Sequence, residues 1–319
     1  MIFAGIDIGT NSLRLLIAQI NRGIFREIYS DRKTTRLGQG LDSTGALDRE
    51  AQKRSLHALA DFEEKLRQHD IEHIAAIGTS ALRNASNAGD FIQEVKNRTG
   101  LTVVIISGEE EGRLTLLGVA RLIEGSGMTG GEKIEKAIIL DIGGGSTEII
   151  IADRGRDTTI VSLPLGAVYL SERFIRHDPP DGNELDLMRA TIRRELEKIK
   201  GETLPTEGSI FAGTAGTITT LATMVQGLET YDPERINGTV LDRESIDTII
   251  DTLVHITLAE RSSIRGLEAG REDIILAGAV VTQEIMNHFG YSSLIVSDWG
   301  LREGIVLDLY DKVRKQRHC

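Results

Sequence analysis

The stretch Asp141-Ile-Gly-Gly-Gly-Ser-Thr-Glu148 sets three consecutive glycines between two acids. Glycines leave backbone N–H groups uncovered by any Cβ, so an anion can approach closely. An acid before such a turn and another after it could hold a divalent cation against phosphate oxygens. A second copy of the plan stands near the N-terminus, where Asp7-Ile-Gly-Thr-Asn-Ser12 again joins one apolar run to the next. Other stretches offer related chemistry. Thr79-Ser-Ala-Leu-Arg83 leaves hydroxyls and a guanidinium after a short apolar run, and Ser107-Gly-Glu-Glu-Glu111 gathers acids where a helix should begin. Gly213-Thr-Ala-Gly-Thr217 reads as a strand end meeting a helix N-terminus, a favourable seat for an anion or a nucleotide. Each has a plainer reading: a Gly-rich hairpin with solvated carboxylates, acids that meet a helix dipole, a tight strand–helix turn. Two Asp-Ile-Gly hairpins in one chain weigh against the plain reading and suggest a duplicated domain.

The elements that must position these residues follow from the pattern. Apolar runs of four or more residues on both sides of each Gly turn suit strands buried on both faces. Residues 23–33 complete a first meander, and a Gly-punctuated loop follows to residue 47. Asp48 is placed to cap a helix reaching about residue 68, and Gly100 to end another. Short strands over 74–79 and 103–106 alternate with these helices, and a further helix runs to about residue 123. Residues 125–136 read as a linker. The second half repeats the order: hairpin, third strand over 157–163, helices through 168–174 and about 184–200, a strand over 209–212 and a helix to 226. Helices over 243–256 and 273–289, a strand over 294–297 and a final helix complete it, with the basic stretch 312–318 read as a solvated end. This is an α/β plan. Its strand-end loops face one cleft, where Asp7, Arg83, Glu110, Glu111, Asp141 and Gly213 could converge.

Composition narrows the partners. The chain of 319 residues is long enough for two cores, and 40% hydrophobic with 27% charged residues is ordinary for a globular protein. A formal charge of −11 argues against non-specific binding of nucleic acid or anionic membrane, though a local site can still be basic. No run approaches the ~18 apolar residues of a membrane span. The N-terminus enters a strand without a leader pattern, and the one cysteine is Cys319, so a cytoplasmic protein without an internal disulfide is expected. The seven histidines lack zinc-site spacing. A homodimer is the default assembly.

The two Asp-Ile-Gly hairpins with Gly213-Thr-Ala-Gly-Thr217 resemble the acetate and sugar kinase/Hsp70/actin superfamily. A narrower resemblance covers nearly the whole chain. Asp7-Ile-Gly-Thr-Asn-Ser-Leu-Arg14, Thr79-Ser-Ala-Leu-Arg83, Ser107-Gly-Glu-Glu-Glu111, Asp141-Ile-Gly-Gly-Gly-Ser-Thr-Glu148 and Ser297-Asp-Trp-Gly-Leu-Arg-Glu-Gly304 are similar, in order, to motifs of the exopolyphosphatase/guanosine pentaphosphate phosphohydrolase (Ppx/GppA) family. That resemblance implies two ribonuclease H-like (actin-like ATPase) domains with mixed sheets facing an interdomain cleft. The first would span residues 1–124, joined by a final helix at about 303–319, and the second 125–302. Longer members carry a further C-terminal helical HD-like domain, so the resemblance implies a short two-domain form.

The implied activity is Mg²⁺-dependent hydrolysis of a terminal phosphoanhydride, in inorganic polyphosphate, in guanosine pentaphosphate to give the tetraphosphate, or in both. By the same resemblance Glu111 is the base that activates water, Glu148 assists, and Arg83 binds the phosphate being cleaved. Asp141 and Asp7 support Mg²⁺. Gly143, Gly144, Gly145 and Ser146 form one phosphate loop; Gly9, Thr10, Asn11 and Ser12 form another; Gly213, Thr214, Gly216 and Thr217 add a third contact. Because Glu109 precedes the Glu pair, register alone leaves Glu110 and Glu111 both open as the base. Two rivals remain: a small-molecule kinase of the same superfamily, and a non-enzymatic actin-like protein or nucleotide-binding sensor.

Overall fold

The computed structural model describes residues 1–125, 136–153, 158–199 and 209–316. It divides into two compact units, Met1–Gly118 with the segment from Trp299 onward, and Val119–Asp298.

The first unit opens with β1 (Ile2–Ile8), β2 (Ser12–Asn21) and β3 (Ile24–Thr34), an antiparallel meander. Next come α1 (Leu41–Thr44), α2 (Arg49–Arg67), β4 (His73–Gly78), α3 (Ser80–Asn84), α4 (Ala88–Thr99), β5 (Val103–Ile105) and α5 (Gly108–Gly125). The five-stranded sheet runs β3-β2-β1-β4-β5, with β4 parallel to both β1 and β5. Along β1, Ala4, Ile6 and Ile8 enter a core with Leu56, Leu59 and Phe62 of α2 and Phe91 and Val95 of α4. Phe3 points to the other face. Both sheet faces are therefore covered, which is why the strands read as unbroken apolar runs. The expected caps form: Asp48 accepts from the Glu50 and Ala51 amides, and Gly100 ends α4 at φ 73°.

The second unit repeats the plan. Its elements are β6 (Lys136–Ile142), β7 (Thr147–Asp153), β8 (Thr159–Leu163), α6 (Ala167–Phe174), α7 (Gly182–Leu196), β9 (Ile210–Thr214), α8 (Ala215–Gln226) and α9 (Pro233–Ile236), then β10 (Val240–Asp242), α10 (Arg243–Val254), α11 (Leu258–Arg261), α12 (Ile275–Phe289) and β11 (Ser293–Val296). The sheet order is β10-β11-β9-β6-β7-β8. Read from β8, the order 8-7-6-9-11 matches 3-2-1-4-5 of the first sheet, so the duplication in the sequence is a duplication of topology. The addition is β10, antiparallel to β11, which the sequence reading missed because a three-residue edge strand carries no period. Most of the expected linker over 125–136, and the ends of the elements expected at residues 157 and 200, lie outside the described residues.

The chain ends in α13 (Leu301–Gln316), which belongs to the first unit. The basic stretch from Lys312 continues this helix as far as Gln316, with Lys312, Arg314, Lys315 and Gln316 exposed, in keeping with the solvated end expected. Val306 and Val313 pack on Phe3, Leu16 and Ile20 of the first sheet, and Leu301 and Ile305 on Ile77 and Leu114. A Cβ at Gly304 would run into the Leu114 carbonyl, so α13 meets α5 backbone to backbone. Arg113 of α5 reaches Asp308 of α13 at 2.7 Å. These contacts fix the helix whose first turn carries the Glu pair.

Candidate active site

Parallel strands bring their C-terminal ends to one edge of a sheet. In the first unit, β1, β4 and β5 end in Asp7–Ile8, Gly78 and Ile105, and the residues singled out by chemistry follow each end. The Asp7 turn is closed by the Gly9 amide donating to the Ser12 carbonyl at 3.1 Å. A Cβ at Gly9 would stand 2.8 Å from that carbonyl, so the turn takes glycine there. The segment after β3 wraps the turn from outside: Gly38 donates to the Thr10 carbonyl, and Thr35 and Arg36 both donate to the Asn11 carbonyl. Among the described residues, the Thr10 and Asn11 amides have no acceptor. Asp7, Thr10, Asn11 and Ser12 are all buried, and Asn11 Nδ2 and Ser12 Oγ find no partner among the described residues.

Arg83 and Glu111 are brought together. Thr79 donates its amide to the Ile8 carbonyl, and the short helix α3 then delivers Arg83 beside the β5 end. Its Nη1 donates to the Ile106 carbonyl at 2.8 Å and to Glu111 Oε2 at 3.1 Å. The remaining guanidinium N–H groups have no partner among the described residues, and the side chain is 23% exposed. Ser107 caps α5, its hydroxyl accepting from the Glu110 amide at 3.2 Å.

One residue of helical rotation then separates the two candidate bases. Glu110 turns outward into a two-point bond with Arg113 at 2.7 and 2.8 Å, and that hydrogen bond holds its carboxyl below the usual range. Glu111 is buried, facing Arg83. Glu109 is exposed and also held low, by its own backbone amide and the Ser107 hydroxyl.

The second unit holds the equivalent turn on β6 and β7. Gly143 donates to the Ser146 carbonyl at 3.0 Å, and the amides of Ala167, Val168 and Tyr169, opening α6, donate to the Gly143 and Gly144 carbonyls. This pins the turn by its carbonyls and leaves the Gly144 and Gly145 amides without an acceptor among the described residues. Asp141 and Glu148 stand directly opposite each other across the ladder, both buried. Glu148 also faces Ser162 on β8, whose hydroxyl donates to its Oε1 at 2.7 Å. Sequence reasoning missed Ser162; only the β7–β8 register reveals it.

Thr214 pairs with Asp141 across the parallel β6–β9 ladder, so the Gly213–Thr217 turn lies beside the Gly-rich one. Thr214 and Thr217 are buried. Ala215, opening α8, has φ +69°, a left-handed backbone rare for a residue with a Cβ and enriched at functional sites. A Cβ on Gly216 would collide with the Arg271 guanidinium, so Gly216 is the position that lets a buried arginine lie over the N-terminal turn of α8. Arg271 was likewise missed, since no motif surrounds it in the chain.

Asp7 and Asp141 each end a strand beside a turn with free amides, and carboxylate oxygen suits a hard cation such as Mg²⁺. Among the described residues, no cluster of three or more His, Cys, Asp or Glu side chains forms a cage for a metal. Asp7 and Asp141 are each a single carboxylate, the kind of ligand through which an ion that keeps most of its waters and takes phosphate oxygens, such as Mg²⁺, is bound. No helix among the described residues is long and apolar enough to cross a membrane.

Comparison with known proteins shows which family the chain resembles. The family model described as the Ppx/GppA phosphatase family matches residues 16–313. Exopolyphosphatase 2 of Mycobacterium tuberculosis is 32% identical over 320 residues, a match covering 96% of this chain and 98% of that protein. The crystal structure of the Aquifex aeolicus member of the Ppx/GppA family superposes with a TM-score of 0.81 at 35% identity, covering 100% of this chain and 99% of the other. An exopolyphosphatase from Cytophaga hutchinsonii superposes with a TM-score of 0.87 at 27% identity, covering 98% of each chain.

Proposed function

The chain belongs to the Ppx/GppA phosphatase family, and we propose that it is a hydrolase that releases terminal phosphate from inorganic polyphosphate. The observation that carries this reading is the Arg83–Glu111 pair at the ends of parallel strands, next to a turn whose Thr10 and Asn11 amides have no acceptor among the described residues. The similarity to exopolyphosphatases supports polyphosphate as the substrate class.

In this reading the terminal phosphoryl group takes hydrogen bonds from the Thr10 and Asn11 amides and from the Arg83 guanidinium N–H groups that have no partner among the described residues. Fixed donors aimed at developing charge are the main source of rate in phosphoryl transfer. Glu111 accepts the proton of the attacking water, and Arg83, holding both the carboxylate and the phosphate, orients the base. Glu110 is committed to Arg113, so the proposal assigns the base to Glu111. Glu148, steadied by the Ser162 hydroxyl, assists, and the Gly143, Gly144, Gly145 and Ser146 turn with the Gly213, Thr214, Gly216 and Thr217 turn receives further phosphates. Mg²⁺, for which Asp7 and Asp141 are each a candidate ligand, would neutralise charge on the phosphate oxygens. Conversion of guanosine pentaphosphate to the tetraphosphate is a second activity to test, because it breaks the same kind of bond. In this reading the protein is cytoplasmic and homodimeric.

The deciding experiment measures phosphate release, with and without Mg²⁺, from long polyphosphate, short polyphosphate and guanosine pentaphosphate side by side. Mg²⁺-dependent release from polyphosphate is expected. No release from any of the three, with guanosine tetraphosphate bound tightly, would replace the hydrolase with a sensor.

A further inference from the structure

Thr35 lies outside every motif of the sequence, in the loop that follows β3. Its main chain is fully engaged: the amide donates to the Asn11 carbonyl at 3.1 Å, and the carbonyl accepts from Arg54 Nε of α2 at 3.0 Å. The next residue, Arg36, has φ +52°, a left-handed backbone uncommon with a side chain. This kink lets Thr35, Arg36 and Gly38 all donate to the carbonyls of the Asp7 turn. Thr35 is thus fastened to the turn by its neighbours and anchored behind by α2.

Its hydroxyl has no such engagement. Thr35 is 3% exposed, and Oγ1 has no hydrogen-bond partner among the described residues. Asn11 Nδ2 and Ser12 Oγ, at 7% and 8% residue exposure, are in the same condition. Buried polar groups in native proteins are almost always hydrogen-bonded, so several unpartnered groups at one turn call for an occupant. An amide nitrogen can only donate, and each hydroxyl can donate once. Donors on residues 11, 12 and 35, which the Thr35 amide–Asn11 carbonyl bond ties to one turn, match a ligand rich in acceptors, an oxyanion rather than a cation.

We infer that Thr35 is a further phosphate-binding residue: its hydroxyl, with Asn11 Nδ2 and Ser12 Oγ, donates to the oxygens of one phosphoryl group of the substrate. The inference rests on the phosphoanhydride-hydrolase reading for the identity of the substrate. The role needs a hydroxyl at residue 35 and nothing else of the side chain.

Thr35→Val removes the hydroxyl and keeps the shape, and Thr35→Ser keeps the hydroxyl. Calorimetric titration with inorganic phosphate, the KM for long polyphosphate and the thermal midpoint are measured for both and for the native protein. Losing one hydrogen bond to a charged group should weaken phosphate binding and raise KM by about 10-fold or more in Thr35→Val, with Thr35→Ser close to native. Unchanged phosphate affinity in Thr35→Val overturns the inference; if its thermal midpoint falls as well, the hydroxyl holds a structural water. A Thr35→Ser variant as weak as Thr35→Val also overturns it, because shape would then be the cause. If Thr35→Val does not fold, Thr35→Ala replaces it under the same criteria. Phosphate binding that depends on Thr35, in a protein that releases no phosphate from polyphosphate, would uphold the site and refute the hydrolase reading alone.

Discussion

The two Asp-Ile-Gly hairpins share a backbone and differ in charge. Gly9 closes on Ser12, and Gly143 closes on Ser146, with nearly equal hydrogen bonds of 3.1 and 3.0 Å. Asp7 pairs across its ladder with Arg14, whereas Asp141 pairs across its own with Glu148. The tip of the first turn is Thr10-Asn11, with polar side chains; the tip of the second is Gly144-Gly145, with backbone alone. One turn therefore offers amides and side-chain donors, and the other offers amides beside two buried acids. Like charges directly opposite each other in a sheet are destabilising. Acids that serve architecture in the same unit are treated differently. Glu284 of α12, equally buried, receives Arg193 at 2.7 Å and Arg189 at 2.7 Å from α7. The contrast teaches that burial of an acid does not by itself mark function: Glu284 is as buried as Glu148 and is held by two guanidinium groups of the same unit.

The largest effect should separate the two buried glutamates. Glu284→Gln leaves two guanidinium groups facing a neutral amide and should cost about 3–5 kcal/mol in denaturant unfolding. Burial pushes the Glu284 carboxyl up, but the bonds and charge of Arg193 and Arg189 win and hold it below the usual range. An acid with a lowered folded value stabilises above its unfolded value of about 4.3 and loses that contribution as pH falls through the folded one. Acid should therefore weaken the native protein more than Glu284→Gln. Glu148→Gln should do the reverse: it relieves repulsion with Asp141, so stability holds or rises while turnover drops about 10²-fold. A variant that lost stability and kept turnover would make Glu148 architectural.

A smaller effect tests the turns themselves. A Cβ at Gly9 would be 2.8 Å from the Ser12 carbonyl, but at Gly143 it would be 3.2 Å from the Ser146 carbonyl. Gly9→Ala should cost about 1–3 kcal/mol and Gly143→Ala less, by thermal unfolding of each. Equal costs would mean that the turns are not conformationally distinct. The smallest change belongs to the partly exposed Arg113, which joins Glu110 to Asp308. Arg113→Met should lower stability by under about 1 kcal/mol.

Much of this was legible in the chain. The duplicated hairpin, the apolar runs and the caps at Asp48 and Gly100 are local signals, and local signals survive into structure. Of the six residues read onto one cleft, Arg83 and Glu111 are in contact, since the parallel strands β4 and β5 that precede them end on the same side. What stayed hidden depends on register or on distant packing. Which of Glu110 and Glu111 turns inward is set by where α5 begins and by Arg113 one turn on. Ser162 reaches Glu148 only through strand pairing, and Arg271 reaches Gly216 only through packing. Thr35 sits in a Gly-punctuated loop, and its burial comes from the Asp7 turn and Arg54, neither of which is near it in sequence.

The account stands most directly on one comparison, phosphate release from polyphosphate with Mg²⁺ by Glu111→Gln and Glu110→Gln. Glu111→Gln should bind substrate nearly as the native protein does and turn over about 10²-fold more slowly or worse, while Glu110→Gln stays within a few-fold. Near-native turnover by Glu111→Gln, or the larger loss falling on Glu110→Gln, would contradict it.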